Sequence, residues 1–353
     1  MKILNGMMLI WLLCGVVWAQ SNKPKPPPPT PADDKEETLR IDSTLVTIPV
    51  SVIDQEGKYL LHLTQKDFRL YEEDAQQEIT NFASIAVPVN VVLMIDTSRS
   101  TKFKIEDIQR AAVAFIEQLR PTDRVMVVSF DDKVRVQSEF TSDRKTLKQA
   151  ITKTKTGTGT KLYEAVNLVI SQKLNAIQGR KAIVLFTDGV DTESKYGAGK
   201  QSMFDVEKKE VIIYPIQYDT MADVAALLNG DDPPQKLVTS QPTSEEFLLA
   251  ARYLRGLALR SGGRVHQAAT LTNVNEAFAL IAEELRHQYS LGYYPTNSAK
   301  DGGFRRVKVR VNQTSVVVRA KEGYKASGQG TGAADANRPI LKRRNLDPQL
   351  NPQ

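Results

Sequence analysis

Three short polar segments of this chain carry hydroxyl and carboxyl groups that suit a metal-binding site. They are Asp96-Thr97-Ser98-Arg99-Ser100, Gly157-Thr158-Gly159-Thr160 and Thr187-Asp188-Gly189. Together they offer the carboxylates of Asp96 and Asp188 and several side-chain hydroxyls as candidate ligands. An all-oxygen set suits a hard cation, with Mg²⁺ preferred and Ca²⁺ or Mn²⁺ as alternatives, rather than a metal that seeks nitrogen or sulfur. Any one of these side chains alone is better explained as a helix cap or a turn residue, and only the whole group favours a metal site.

Continuous apolar runs precede two of these segments. The runs are Val91–Ile95 and Ile183–Phe186, and a third is Val211–Ile216. Such runs predict strands that are buried on both faces of a parallel sheet, and the apolar residues at helical spacing between them predict amphipathic helices. The alternation indicates an α/β fold with a doubly wound, mostly parallel open sheet, in which ligands bind outside the carboxyl ends of the strands. We therefore expect the three polar segments to meet at one edge of the sheet.

Two local features of the α/β region also allow predictions. Asn273, with Glu276 three residues later, predicts a capping-box-like start for the last helix, whose apolar face runs from Val274 to Leu285. Asp131-Asp132 lies between two predicted strands and is interpreted as a hairpin turn.

Strand-rich sequence lies on both sides of the α/β region. Residues 39–87 alternate apolar and polar side chains and turn at Asp54–Gly57, and residues 288–325 return to strand character. We expect these two segments to pair into one small all-β domain, with an α/β domain of residues 88–287 inserted between them. Two unrelated β extensions are the alternative.

Composition limits the class of protein. The 353 residues are 41% hydrophobic and 25% charged, with a net charge of +6, which fits about two globular domains. A wholly disordered, collagen-like or coiled-coil chain is excluded, and a single cysteine excludes a disulfide-stapled scaffold. The small positive excess is poor evidence for nucleic-acid binding.

The N-terminus predicts export to the periplasm or the cell exterior. Residues 1–19 combine Lys2, an apolar stretch and a small-residue cleavage site, as in a signal peptide. An uncleaved anchor is the alternative, but the apolar stretch is shorter than the ~20 residues that a span requires. Leu13 before Cys14 argues against lipidation. A proline-rich linker follows over residues 20–38, residues 326–353 form a predicted disordered tail, and no transmembrane span is expected after cleavage.

The three polar segments resemble the von Willebrand factor type A domain with its metal-ion-dependent adhesion site. Asp96, Ser98 and Ser100 match the family's Asp-x-Ser-x-Ser motif, Thr160 its distant Thr, and Asp188 its distant Asp. The resemblance covers about residues 88–286. The flanking β segments resemble, more loosely, a group of exported bacterial proteins with such domains, many from acidobacteria.

The resemblance implies metal-dependent protein binding of the adhesion type rather than catalysis. Ser98, Ser100 and Thr160 would touch the metal through neutral hydroxyls, and Asp96 and Asp188 would act largely through bound water. An open coordination position could then accept a partner's Asp or Glu carboxylate. In relatives, a shift of the last helix linked to ligand binding can change affinity.

One departure from some relatives concerns an adjacent calcium site. Basic Lys102 and Lys104 replace the acidic residues of such a site, so no second site is expected. With Arg99 they either favour an acidic partner or form solvated surface. An acidic stretch at residues 230–234 is interpreted as a flexible turn, with a calcium loop as the alternative.

Two other classes of function stay open. The protein could be a structural or assembly factor of the cell envelope in which the metal only stabilises the fold. A hydrolase is disfavoured because no nucleophile elbow, phosphate loop, zinc motif or dinucleotide fingerprint occurs.

Overall fold

The computed structural model describes residues 45–83, 87–99, 101, 105–218 and 244–326. The predicted signal peptide, the linker, nearly all of the predicted tail and the acidic stretch at residues 230–234 lie outside the described residues. Within the described part, no helix is both long and apolar enough to cross a bilayer.

Strands and helices are numbered in chain order. The strands are β1 Val46–Ile53, β2 Phe68–Glu72, β3 Ala75–Gln77, β4 Ile79–Ala83, β5 Val89–Asp96, β6 Arg124–Phe130, β7 Val134–Thr141, β8 Arg180–Thr187, β9 Ile212–Tyr218, β10 His266–Ala268, β11 Tyr289–Tyr293, β12 Phe304–Val311, β13 Val317–Ala320 and β14 Gly323–Lys325. The helices are α1 Ile105–Gln118, α2 Arg144–Thr152, α3 Leu162–Leu168, α4 Ala198–Lys208, α5 Ser244–Ser261 and α6 Leu271–Arg286. A π-helical turn, Val169–Lys173, continues α3.

The central sheet has the strand order β10-β9-β8-β5-β6-β7. Neighbouring strands run parallel, except that β7 pairs with β6 antiparallel at the edge. The chain leaves β5 for β6 on one side and returns to β8 on the other side, so the direction of winding reverses at β5 and β8. The predicted fold class, an α/β protein with a mostly parallel open sheet, is confirmed.

Helices cover both faces of this sheet, which explains its continuous apolar runs. Along β5, Val91, Leu93 and Ile95 face the core that includes α1, α2 and α6. Val92 and Met94 face the opposite core, which includes α3, α4 and α5. Successive side chains of a strand point to opposite faces, so a strand that is covered twice has no polar alternation.

The start of helix α6 differs from the prediction. The helix begins at Leu271, and Thr270 caps it with extended backbone and a hydroxyl that accepts a bond from the Asn273 amide at 3.3 Å. Asn273 and Glu276 therefore lie inside the first turns of the helix. Their side chains contact each other there, where the side-chain Nδ2 of Asn273 donates to the Glu276 carboxylate at 3.2 Å. A threonine just upstream serves as the N-cap in place of the asparagine.

Two antiparallel sheets, ordered β13-β1-β11-β4 and β14-β12-β2-β3, lie outside the central sheet. Strands from before and after the α/β region pair with each other, as β1 does with β11 and β2 with β12. Buried side chains from both sheets form one core, in which Phe68 and Tyr289 have ring centroids 5.3 Å apart. Strands β4 and β11 are direct neighbours, so the whole α/β region occupies the place of a loop between two paired strands.

Candidate metal site

Asp96 ends β5 at the point where the winding of the sheet reverses. Its side chain is fully buried. One carboxylate oxygen accepts a bond from the Ser98 amide at 2.9 Å, and the other accepts a bond from the Thr187 hydroxyl at 2.6 Å. Thr187 ends the neighbouring strand β8, so this second bond ties the two carboxyl ends together. A crevice at such a reversal is where open α/β sheets bind their ligands.

Asp188 follows β8 directly and is also buried. Its carboxylate accepts a bond from the Val190 amide at 3.1 Å, while the Gly189 amide donates to the Thr187 hydroxyl at 2.9 Å. Gly189 has a φ of 89°, a left-handed conformation that favours glycine, and the chain turns there toward α4.

Thr160 precedes α3 and is held between two loops. Its amide donates to the Thr192 hydroxyl at 3.0 Å, and its carbonyl accepts bonds from the Thr192 and Glu193 amides at 3.0 and 3.1 Å. A Cβ at Gly159 would lie 2.1 Å from a carboxylate oxygen of Glu193, so the Glu193 side chain packs against this loop. The neighbouring Gly157 amide donates at 2.8 Å to the carbonyl of Thr97, which connects this loop to the end of β5.

Electrostatics at the site disfavour two metal-free carboxylates. Burial, together with the nearby negative charge of Asp188, raises the pKa of Asp96 to about 7 against the opposing effect of the bonds from Ser98 and Thr187. Within the described part of the chain Asp96 takes part in no ion pair. A bound cation would offset both the burial and the repulsion between the two carboxylates.

Of the five predicted ligands, the structure describes four, namely Asp96, Ser98, Thr160 and Asp188, and all four are buried. Ser100 lies outside the described residues, as do Lys102 and Lys104, while Arg99 is exposed. The described residues contain no group of three or more His, Cys, Asp or Glu side chains that could hold a metal ion. Two of the four described candidate ligands, Ser98 and Thr160, offer hydroxyl oxygens rather than carboxylates. Two carboxylates with hydroxyl oxygens fit a hard divalent cation, and they do not fit a nitrogen- or sulfur-seeking metal.

Sequence reasoning missed three side chains that build the site. Thr187 donates to Asp96, as described above. Thr97 lies between two predicted ligands, and its hydroxyl donates toward a carboxylate oxygen of Asp131 at 3.0 Å. Asp131 does lie in the turn between β6 and β7, as predicted, but it is fully buried rather than a solvated turn residue.

Comparison with known protein families gives one match to part of the chain. Residues 91–190 match the family model of the von Willebrand factor type A domain. The matched range runs from β5 to just beyond β8 and contains every residue of the candidate site. No curated protein matches the chain.

Several solved structures resemble this chain at low sequence identity. An aerotolerance-related membrane protein from Bacteroides fragilis is 20% identical over 56% of this chain and 98% of its own, with a TM-score of 0.40. The von Willebrand factor domain of the type V pili tip protein from Porphyromonas gingivalis is 16% identical over 56% of this chain and 94% of its own, with a TM-score of 0.43. Proximal thread matrix protein 1 from the mussel byssus was solved with zinc in its metal-ion-dependent adhesion site (MIDAS) motif. It is 14% identical over 60% of this chain and 48% of its own, with a TM-score of 0.44.

Proposed function

We propose that the protein is an exported binding module of the adhesion type. In this proposal a divalent metal, Mg²⁺ first, is held by Asp96, Ser98, Ser100, Thr160 and Asp188, and a partner protein or surface ligand supplies an Asp or Glu carboxylate. The role is non-enzymatic. The family match to the von Willebrand factor type A domain supports the interaction role.

One observation carries the proposal. Asp96, Ser98, Thr160 and Asp188 come from three separate segments, and the fold brings those segments together as buried groups where the sheet reverses its winding. Burying two carboxylates beside each other is costly unless a cation compensates for them. A purely structural explanation by caps and turns accounts for each side chain alone but not for the two carboxylates together.

The protein's own groups give the site its character. The hydroxyls of Ser98 and Thr160 offer neutral oxygen ligands, so a bound cation would keep more of its positive charge than it would among carboxylates alone. The metal, when bound, supplies a Lewis-acidic centre that attracts an anionic oxygen. Asp96 is oriented for this role from two sides, by the amide of Ser98 and the hydroxyl of Thr187. Orientation of this kind by neighbouring groups maintains metal affinity.

Exposed cations near the site favour an acidic partner. Arg99, Lys155 and Lys195 lie in the three site segments or in the loops that continue them. They are exposed and outnumber the exposed acid of these loops, Glu193. A rim with this charge attracts an anionic surface and speeds its association at low salt.

The second candidate function is a structural or assembly role in the envelope, with the metal only stabilising the fold. The two flanking β-sheets favour it, because their strands lie outside the central sheet that carries the site. Carboxylate capture separates the two functions, since only an adhesion-type site requires an open metal position.

Acetate serves as the carboxylate probe, and Mn²⁺ is the paramagnetic metal. If a carboxylate reaches the bound metal, the methyl proton signal of acetate broadens more with Mn²⁺ and wild-type protein than with the same free Mn²⁺ alone. Asp96→Ala should remove this extra broadening. Mn²⁺ binding without extra broadening would refute carboxylate capture and leave the structural role. Absence of Mn²⁺ binding would refute both.

A further inference from the structure

Asp131 contacts two of the three segments that supply ligands to the proposed metal site. It follows β6 directly and belongs to none of the three ligand segments. Its side chain is fully buried, although it lies in a short turn between two strands. A buried carboxylate in a turn needs several partners to offset its burial.

The first loop that Asp131 contacts is the turn after Asp96. The Thr97 hydroxyl lies 3.0 Å from a carboxylate oxygen of Asp131 and 3.2 Å from the Phe130 carbonyl. The Thr97 amide also donates to the Phe130 carbonyl at 2.8 Å. Thr97 lies between Asp96 and Ser98, so its position sets where these two proposed ligands point.

The second loop runs from Gly157 to Thr160. The main-chain carbonyl of Asp131 accepts a bond from the Lys161 amide at 2.8 Å, directly after Thr160. Gly157 packs against the Asp131 side chain so closely that a Cβ at residue 157 would lie 2.4 Å from the Asp131 Cγ. Asp131 therefore touches this loop near both of its ends.

Asp131 is itself held by two further groups. Arg135 contacts its carboxylate at 2.6 Å, and the Lys133 amide donates to the other carboxylate oxygen at 2.9 Å. Burial acts to raise the pKa of Asp131, but hydrogen bonds from neighbouring side chains and from the Lys133 amide lower it below its ordinary value. With Arg135 and Thr97 as partners, its carboxylate is committed to these bonds rather than to a metal.

We infer that Asp131 is a positioning residue for the metal site, holding the Thr97 turn and the Gly157–Thr160 loop at a fixed separation. The inference rests on the proposed function. It assigns a role in metal affinity to a residue that binds no metal. Loss of a partner that orients metal ligands typically weakens metal binding by about 10- to 100-fold.

The test compares Asp131→Ala with Asp132→Ala in the full chain. Asp132 is the neighbouring residue and carries the same charge. It contacts Arg135 at 3.9 Å and the side chain of Asp131, so it controls for the lost charge and for damage to the turn itself. The dissociation constant for Mn²⁺ is measured by calorimetry, and the melting temperature is measured in chelator. Asp131→Ala is expected to weaken Mn²⁺ binding about tenfold or more relative to Asp132→Ala.

Two further variants separate positioning from general damage to the fold. Asp131→Asn keeps the size of the side chain. Its oxygen can accept the bond from the Lys133 amide and its NH₂ group can donate to the Thr97 hydroxyl, while the contact with Arg135 is lost, so it should recover part of the lost affinity. Thr97→Val should weaken Mn²⁺ binding as Asp131→Ala does. The double variant should lose little more affinity than either single variant, because both changes remove the same contact between Thr97 and Asp131.

The outcomes distinguish this inference from the proposed function. If wild-type protein binds Mn²⁺ and Asp131→Ala binds it as tightly as Asp132→Ala, the positioning role is wrong while the metal site stands. Fully additive losses in the double variant, or no recovery in Asp131→Asn, also overturn the role. If wild-type protein fails to bind Mn²⁺, the proposed function fails and the positioning role fails with it.

Discussion

Replacing Asp96 by Asn should stabilise the metal-free protein and abolish its response to metal. Burial, with the charge of Asp188 nearby, raises the pKa of Asp96 from 3.8 to about 7. At pH 8 the carboxylate is ionised in both the folded and the unfolded chain, and keeping it ionised in the folded state then costs roughly 4 kcal/mol. Asparagine removes the charge at nearly the same size. Its oxygen can still accept the bond from the Ser98 amide.

Part of this gain is lost at Thr187. Its hydroxyl donates to the Asp96 carboxylate at 2.6 Å, and an asparagine amide would face it as a donor instead. A buried hydroxyl left without an acceptor costs about 1–3 kcal/mol, which leaves a net gain of about 2 kcal/mol. At 2–4 °C per kcal/mol for a domain of 150–250 residues, the melting temperature should rise by roughly 5 °C.

The assay is thermal unfolding at pH 8 in chelator and again with Mg²⁺. Wild-type protein should melt at a higher temperature with Mg²⁺, and Asp96→Asn should melt at one temperature in both solutions, above that of wild type in chelator. Asp123→Asn is the control, because Asp123 is a buried carboxylate outside the site that accepts bonds from the Val89 and Arg120 amides. It should lower stability and keep the Mg²⁺ response. A lower melting temperature for Asp96→Asn in chelator would show that the buried charge of Asp96 does not destabilise the metal-free fold. A retained Mg²⁺ response would show that Asp96 does not belong to the metal site.

Three further predictions concern packing and pH. Gly157→Ala should weaken metal binding and lower stability, since its methyl group would lie 2.4 Å from the Asp131 Cγ; unchanged Mn²⁺ affinity would contradict the close packing. Burial, reinforced by two nearby arginines, lowers the pKa of His266 to about 4, so only the unfolded chain binds a proton between pH 6.5 and 4. This histidine should lower the free energy of unfolding by up to roughly 3 kcal/mol as the pH falls through that range. The urea midpoint of His266→Gln should fall less with pH than that of wild type, and an equal fall would contradict the prediction. Tyr293→Phe removes a 2.7 Å bond to the buried Glu72 carboxylate and should cost about 1.5–3 kcal/mol in urea unfolding, whereas a neutral effect would show that Tyr324 suffices as a partner.

The sequence allowed prediction of the features that depend on local pattern. The apolar run in β5 requires two covered faces, and the structure covers both. The ends of β5 and β8 had to meet because parallel strands align their carboxyl ends, and Asp96 contacts Thr187 there. Helix α4, by contrast, was not predicted, because it buries only Ser202 and Val206 and so has no apolar stripe.

The parts of the site that escaped prediction depend on contacts between distant segments. Asp131-Asp132 has the composition of a solvated turn, and only the bond to Thr97 and the packing of Gly157 show that Asp131 is buried. From the sequence Thr187 is only the last residue of a predicted strand, and the structure alone shows that its hydroxyl donates to Asp96. No periodicity or short motif encodes such pairings, because the partners lie tens of residues apart.

Direct Mn²⁺ binding tests whether these oxygen groups hold a divalent metal. Electron paramagnetic resonance measures free Mn²⁺ during titration of wild-type protein, Asp188→Ala and Thr160→Ala. Wild-type protein should show a single saturable Mn²⁺ site that Mg²⁺ displaces, and each variant should lose it while keeping a cooperative unfolding transition. Wild-type protein that leaves all Mn²⁺ free, or binding that persists unchanged in both variants, would show that these groups do not form a metal site.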